Sequence, residues 1–317
     1  MQAVRYHEHG DEDVLQVDEI ERPEPAANEL LVRVEAAAVN PVDTYFRSGV
    51  YPLGGLPWIP GSDVAGVVES AGSRTGFSAG DRVFATGLGK DHQGTCAEYV
   101  TVPADLAATF PDSVGFETAA AGALVGVTAW QSLFAAGALS PGDRALVHGG
   151  NGGVGHVAVQ LAATTGADVT TTARPRYHDQ LADLGADVVV DYAEDELADA
   201  LADAGPYDVI LDHRVDEYLG LDCRVAATGG RIAAIGNVDP EACFPSVPLA
   251  RAKTLSVHHV GMFATPDVAA VLERLGRLFE RGDVAPVVDR AYDLDGVADA
   301  QRAVLAESFL GKLVVLP

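Results

Sequence analysis

The chain has 317 residues, 48% of them hydrophobic, with 46 acidic against 21 basic side chains and a net charge of −25. That much apolar material excludes intrinsic disorder and suffices for two domain cores, while so negative a surface excludes binding to a nucleic-acid backbone. Three widely spaced cysteines, Cys96, Cys223 and Cys243, exclude a disulfide framework and a Cys-x-x-Cys metal knuckle.

Residues 1–118 are expected to form a β-rich domain of short strands cut by Gly and Pro turns. Residues 30–39 form a strand candidate followed by Asn40, Pro41, Asp43 and Tyr45, and Pro52, Pro57 and Pro60 then punctuate a loop. Residues 64–68, 82–84 and 96–102 supply further strands, the second after a turn at residues 78–81. From residue 119 to 261 strand and helix alternate, which predicts a parallel, doubly wound sheet with ligand at the carboxyl ends of its strands. Strands are expected at residues 146–147, 169–172, 188–190, 209–211, 231–235 and 254–260, with helices near 176–184, 194–204 and 217–227. The tail breaks this pattern. Residues 268–278 form an amphipathic helix, a second helix lies near 296–307, and an apolar strand closes the chain at 312–316, so residues 262–317 are expected to complete the N-terminal domain and leave a cleft between domains.

The most informative stretch joins the first strand of the alternating half to its helix. Gly150, Asn151, Gly152, Gly153, Val154 and Gly155 satisfy G-x-G-x-x-G spacing, and Val154, Val157, Ala158, Leu161 and Ala162 follow on one helical face. Gly150 turns the chain off the strand, Gly152 leaves room for a pyrophosphate, and Gly155 lets helix and strand pack closely. The helix N-terminus then offers N–H groups and a positive dipole end to the phosphates.

No run of eighteen apolar residues occurs and the N-terminus lacks a signal-peptide pattern, so the expected location is the cytoplasm, without a membrane partner. The acid excess fits a halophile's cytoplasm of molar salt, where a Debye length of about 3 Å screens repulsion between carboxylates.

Six segments taken together resemble the zinc-free quinone oxidoreductase (zeta-crystallin-like) branch of the medium-chain dehydrogenase/reductase superfamily. They are Asn40-Pro-Val-Asp-Thr-Tyr-Phe-Arg-Ser-Gly49, Pro60-Gly-Ser-Asp-Val-Ala-Gly-Val-Val-Glu69, Gly80-Asp-Arg-Val83, Val127-Thr-Ala-Trp130, the Gly150 turn and Gly229-Gly-Arg-Ile232. The resemblance implies an α/β protein with a GroES-like β-rich domain joined to a Rossmann domain, NADPH as hydride donor, and a homodimer. Residues 254–260 are the candidate pairing edge, because an exposed apolar edge strand needs a partner.

Catalytic zinc wants three protein ligands and an open position. This chain has Asn40 where zinc relatives carry a first cysteine and Ser62-Asp63 where they carry His-Glu, so no metal is expected. His258 and His259 would point to opposite faces of a strand, and His7 and His9 read as an exposed strand pair.

An acid about 20 residues beyond the glycine turn would mark NAD. Here Arg174 and Arg176 stand instead, which points to the 2′-phosphate of NADPH; the alternative is that both pair with surface acids. By resemblance Tyr192 also lies beside that phosphate, while Tyr177 stands where many relatives have lysine.

By resemblance, too, Asn40, Asp43 and Tyr45 line the pocket near the nicotinamide, with Tyr45 donating a hydrogen bond or a proton to an enolate oxygen. The alternatives are a turn residue for Asn40 and a helix cap for Asp43. Thr128 either contacts cofactor or caps a helix, Asn237 and Phe263 fall in cofactor-wall loops, and Lys312 either reaches the phosphates or is a solvated surface lysine. The function implied is zinc-independent NADPH-dependent reduction of a small quinone or enone. An enoyl-thioester reductase and a non-catalytic, crystallin-like NADPH-binding protein are the alternatives.

Overall fold

The computed structural model describes residues 1–317 and divides the chain into two compact units, Met1–Val125 with Pro266–Pro317, and Gly126–Thr265. The change of sequence texture at residues 118/119 precedes the division by seven residues because one helix carries the chain through it. Elements of the first stretch are β1 (Gln2–Arg5), β2 (Gln16–Glu19), β3 (Glu29–Ala38), α1 (Pro41–Arg47), β4 (Asp63–Ala71), β5 (Arg82–Ala85), β6 (Tyr99–Pro103), β7 (Ala107–Thr109) and α2 (Phe116–Trp130). The α2 helix continues through a π-helical stretch, Gln131–Ala136. Helix Phe116–Ala136 is 21 residues long and apolar enough to span a membrane by length and composition, but 67% of its most apolar window is buried within the protein, as in a core helix.

The second unit continues with β8 (Arg144–Val147), α3 (Gly153–Thr164), β9 (Asp168–Thr172), α4 (His178–Asp183), β10 (Val188–Val190), α5 (Leu197–Ala204), β11 (Tyr207–Asp212), α6 (Val215–Val225), β12 (Ala226–Ala234), α7 (Val247–Ala252) and β13 (Ser256–His259). Its six strands run parallel in the order β10-β9-β8-β11-β12-β13, the doubly wound sheet that the alternation predicts. Leu146, Ile210, Ile232, Leu201, Leu219 and Val225 are among the side chains that close one core cluster of this unit. β12 begins five residues earlier than the sequence suggests. The added residues include an irregularity: the register on β11 shifts between Ala226 and Arg231, where Gly229 stands at φ +80°.

The chain returns to the first unit with α8 (Val268–Arg281), β14 (Val288–Tyr292), α9 (Val297–Ala306) and β15 (Lys312–Val315). Spacing dictates α8: Val268, Val271, Leu272, Leu275 and Phe279 fall on one face and are buried. Each such burial is worth about 1.5–3 kcal/mol. Asp267 starts the helix by accepting from the Ala270 N–H at 2.9 Å, and Gly282, at φ +72°, stops it in the left-handed conformation.

The seven-stranded sheet of this unit has the order β14-β15-β3-β4-β5-β7, with β6 also paired to β3. β3 is central, so Leu30, Val32, Val34 and Ala37 are buried while Arg33 and Glu35 turn outward and pair with each other. Two registers gather polar residues at one end of this sheet. Ala38 opposes Asp63 across β3 and β4, and Val314 opposes Ala38 across β15 and β3, so three strand ends converge beside Asn40.

Candidate active site

Convergence of those strand ends builds a buried polar network from five side chains, Asn40, Asp43, Ser62, Asp63 and Lys312, none more than 3% exposed. Lys312 Nζ donates to the Val39 carbonyl at 2.7 Å and to Asn40 Oδ1 at 2.5 Å, and lies 3.9 Å from Asp63 Oδ2. Asn40 Nδ2 donates to Asp63 Oδ2 at 2.8 Å and to the Ala38 carbonyl at 3.3 Å. Asp63 Oδ1 accepts from the Leu124 N–H at 2.9 Å. On the other branch Asp43 Oδ2 accepts from the Asn40 N–H at 2.8 Å, capping α1, and Asp43 Oδ1 accepts from Ser62 Oγ at 2.6 Å.

The Asn40 amide therefore has both hydrogens committed and its oxygen engaged. It has no donor left for a bound molecule. Its chemical effect is indirect, through the start of α1, the helix that carries Tyr45. Two carboxylates and one ammonium share this dry site. Burial, with the nearby charge of Asp63, pushes the Asp43 carboxyl up to about 7 against the opposing hydrogen bonds from Ser62 and Asn40. Burial raises Asp63 and lowers Lys312 as well, each opposed by the attraction of the other.

Tyr45 differs from its neighbours. It is half-buried, its ring stands edge-on to Tyr51 at 5.7 Å, and its hydroxyl makes no hydrogen bond within the protein. Desolvation raises its pKa, so the hydroxyl stays protonated at neutral pH. Arg47, at the other end of α1, bonds Gln301 Oε1 at 2.8 Å and the Gly10 carbonyl at 3.2 Å, which fixes the helix at both ends.

In the second unit, Gly149–Gly152 turns between β8 and α3. The residue that reverses the chain is Gly149, at φ +70°, rather than Gly150 as the motif spacing suggests. A Cβ on Gly150 would lie 2.2 Å from Thr171 Oγ1, and one on Gly155 would lie 2.1 Å from the Gly149 carbonyl oxygen. Gly150 and Gly155 are thus close-packing positions. Gly152 occupies the N-cap of α3 with no side-chain cap, so the first helical N–H groups lack an intrahelical acceptor. A pyrophosphate fits this donor set. Gly153, Val154 and Asn151 belong to the same turn and first helical residues.

Arg174 follows β9 and is exposed; its Nε donates to Tyr192 Oη at 2.7 Å, and the guanidinium sits 4.8 Å from the Tyr192 ring centre. The hydrogen bond to Tyr192 dominates its surroundings, with the charge of Asp191 a smaller influence. Arg176 lies over the Tyr177 ring at 4.7 Å.

Thr128 is buried inside α2 and its carbonyl accepts from Ser132 Oγ, so it caps no helix. Asn237 is exposed beyond β12, with its amide donating to the Asp239 carbonyl. Phe263, 37% exposed, lies in the turn Met262–Ala264. Lys312 is not a solvated surface lysine, and its ammonium is committed within the first unit. Nor are His7 and His9 a strand pair: β1 ends at Arg5, His7 bonds Asp18 and His9 bonds the Arg47 carbonyl. His258 and His259 are both exposed on β13, and no group of three His, Cys, Asp or Glu residues is arranged to hold a metal. Sequence alone marks Ser62 and Asp63 only as missing zinc ligands, and Gly149 and His148 not at all.

Two family descriptions match the chain: alcohol dehydrogenase GroES-like domain over residues 26–112 and zinc-binding dehydrogenase over residues 184–315. The quinone oxidoreductase of Homo sapiens is 32% identical over 329 residues, covering 100% of this chain and 98% of its own. Among solved structures, an NAD-dependent alcohol dehydrogenase superposes with a TM-score of 0.92 at 30% identity, covering 100% of both chains. The Escherichia coli quinone oxidoreductase complexed with NADPH gives 0.89 at 26% identity, again over 100% of both.

Proposed function

The chain belongs to the medium-chain dehydrogenase/reductase superfamily, in its quinone oxidoreductase branch, and from its site we propose a zinc-independent reductase of quinones and α,β-unsaturated carbonyls. It is an oxidoreductase with NADPH as its cofactor. The observation that carries zinc independence is the closed network around Lys312. Where a metal would need open ligands, Asn40 and Asp63 are already bonded, and a buried ammonium supplies the positive charge that the two carboxylates require.

NADPH supplies hydride when bound, and the chain's own groups do the rest. The α3 N-terminus would hold the pyrophosphate, and Arg174, its Nε already fixed by Tyr192, would present its two terminal nitrogens to a 2′-phosphate. Tyr45 offers its free hydroxyl to the acceptor oxygen, donating a hydrogen bond as negative charge develops there. A quinone or enone spreads that charge by conjugation and so needs no Lewis acid.

The edge strand β13, bonded on one side only, supports self-pairing into a dimer, which light scattering would detect. The acid excess supports a cytoplasmic setting of high salt, and unfolding followed against KCl tests it: equal stability at low and high salt would count against a halophilic protein. The deciding experiment for the activity is NADPH oxidation in molar KCl with EDTA against ortho-quinones, para-quinones and short enones. Turnover that survives EDTA supports the proposal; NADPH binding with no acceptor reduced would overturn it in favour of a non-catalytic protein.

A further inference from the structure

The second unit holds a cluster of buried ionisable groups that the proposed chemistry leaves unused. His148 is the residue between β8 and Gly149, and its side chain is fully buried. Its Nε2 lies 2.9 Å from Asp222 Oδ1, a residue of α6 that is also fully buried, and its ring stacks on Tyr218 at 4.6 Å. Asp212, the last residue of β11, accepts from the Arg214 N–H at 2.7 Å through Oδ1. Its carboxyl interacts with that of Asp222. Yet Asp212 Oδ2 and Asp222 Oδ2 receive no N–H or O–H donor, and His148 Nδ1 is also unpartnered. Two interacting buried carboxyls, each with one oxygen that lacks a donor, are satisfied together by one proton shared between them.

The surroundings fix where that proton sits. Burial pushes His148 down to about 4, so its ring is neutral, with Nε2–H donating to Asp222. Burial pushes Asp212 and Asp222 up to about 7, Asp222 adding its like charge on Asp212. The other titratable or charged groups around the cluster are His213 and Arg214 beyond β11, Glu217, Tyr218 and Cys223 on α6, Tyr192, and Lys253 after α7. The one further carboxylate among them, Glu217, is exposed and paired with Arg214 at 2.6 Å, so it does not compete for the buried proton. The cluster meets the dinucleotide turn directly. His148 precedes Gly149 in the chain, its N–H bonds the Leu211 carbonyl, and the His213 ring packs where a Cβ on Gly149 would stand, 2.8 Å away.

We propose that Asp212 and Asp222 share a single proton and that Asp222, through His148, is a positioning residue for the dinucleotide turn, so that losing the proton weakens the turn's hold on an anionic nucleotide. The inference rests on the NADPH assignment only for the choice of nucleotide.

The test follows NADPH binding by fluorescence, and thermal unfolding without nucleotide, from about pH 5 to about pH 8 at fixed molar KCl. It compares the unaltered protein with Asp222→Asn, whose amide can accept from His148 and donate to Asp212 without titrating, and with Asp212→Asn as a second variant. The 2′-phosphate titrates near pH 6 on its own, but it does so in all three proteins, so differences between profiles isolate the dyad. The unaltered protein should lose about tenfold in NADPH affinity across this window beyond any change in either variant, the order expected of one added charge at an effective dielectric of about 20. Its unfolding temperature should also fall more steeply with pH. Parallel profiles with binding intact would overturn the proposal alone. If a pH step in stability is present and lost in the variants while no protein binds NADPH, the coupling falls together with the cofactor assignment.

Discussion

Replacing Lys312 by methionine removes the one cation that acts on Asp43 and Asp63. The Lys312 side chain is 4% exposed and its ammonium donates to Val39 and Asn40, so methionine of similar length leaves two acceptors without a donor and two buried carboxylates without a countercharge. Removing one partner of a buried pair costs about 3–5 kcal/mol, far more than an exposed ion pair is worth. The expected loss in denaturant unfolding at neutral pH is of that size. Its pH dependence has a definite sign. Without the ammonium, Asp43 and Asp63 hold protons in the folded state to still higher pH than the already raised values, while the unfolded chain releases them in the ordinary carboxylate range. The folded state then binds more protons, so the variant's deficit grows as pH rises from about 4 and is smallest in acid. Adding Asp63→Asn to Lys312→Met should recover stability, with a coupling of about 0.5–3 kcal/mol in a double-mutant cycle. A Lys312→Met loss below about 0.5 kcal/mol, with no coupling to Asp63, would refute the assignment of Lys312 as the countercharge of this network.

Arg174→Ala should raise KM for NADPH about tenfold or more while leaving that for NADH nearly unchanged, since only the 2′-phosphate contact is lost; an unaltered cofactor preference would remove Arg174 from the site. Tyr45→Phe should lower kcat with little effect on NADPH binding, because the hydroxyl acts on charge that appears in the transition state, and an unaltered kcat would leave Tyr45 as a wall. Gly155→Ala places a methyl 2.1 Å from the Gly149 carbonyl oxygen, a backbone atom that cannot swing away. It should cost about 1–3 kcal/mol in unfolding and weaken NADPH binding, both read from one titration series.

Long periodic elements were legible in the sequence. The parallel sheet follows from alternation of apolar strands and helices, and α8 from its buried stripe. Elements with little burial were not. β14 has no fully buried residue, and the hairpin of β1 and β2 buries little on its second strand, so neither carries a hydrophobic pattern. At the site, residue types were legible and partnerships were not. Lys312 and Asn40 lie 272 positions apart, and only the register of β15 on β3 brings them together. Ser62 and Asp63 attract attention as departures from a zinc pattern, yet in the folded chain both are donors or acceptors to residues of the candidate pocket. The glycine spacing identifies the turn correctly but not its pivot, because the positive φ falls on the residue before the motif.

The discontinuity of the first unit sets an order of assembly on the ribosome. β3, β4 and α1 emerge early, but their partner β15 comes only after the whole of Gly126–Thr265 has been made. At translation rates of about 5–20 residues per second, that delay is on the order of ten seconds or more. During it the β15-facing edge of β3 is uncovered, and Asp43 and Asp63 have no ammonium to draw them into a dry interior. A polypeptide released before Gly311 retains every residue of the glycine turn and lacks the last strand that closes the first unit around its carboxylates.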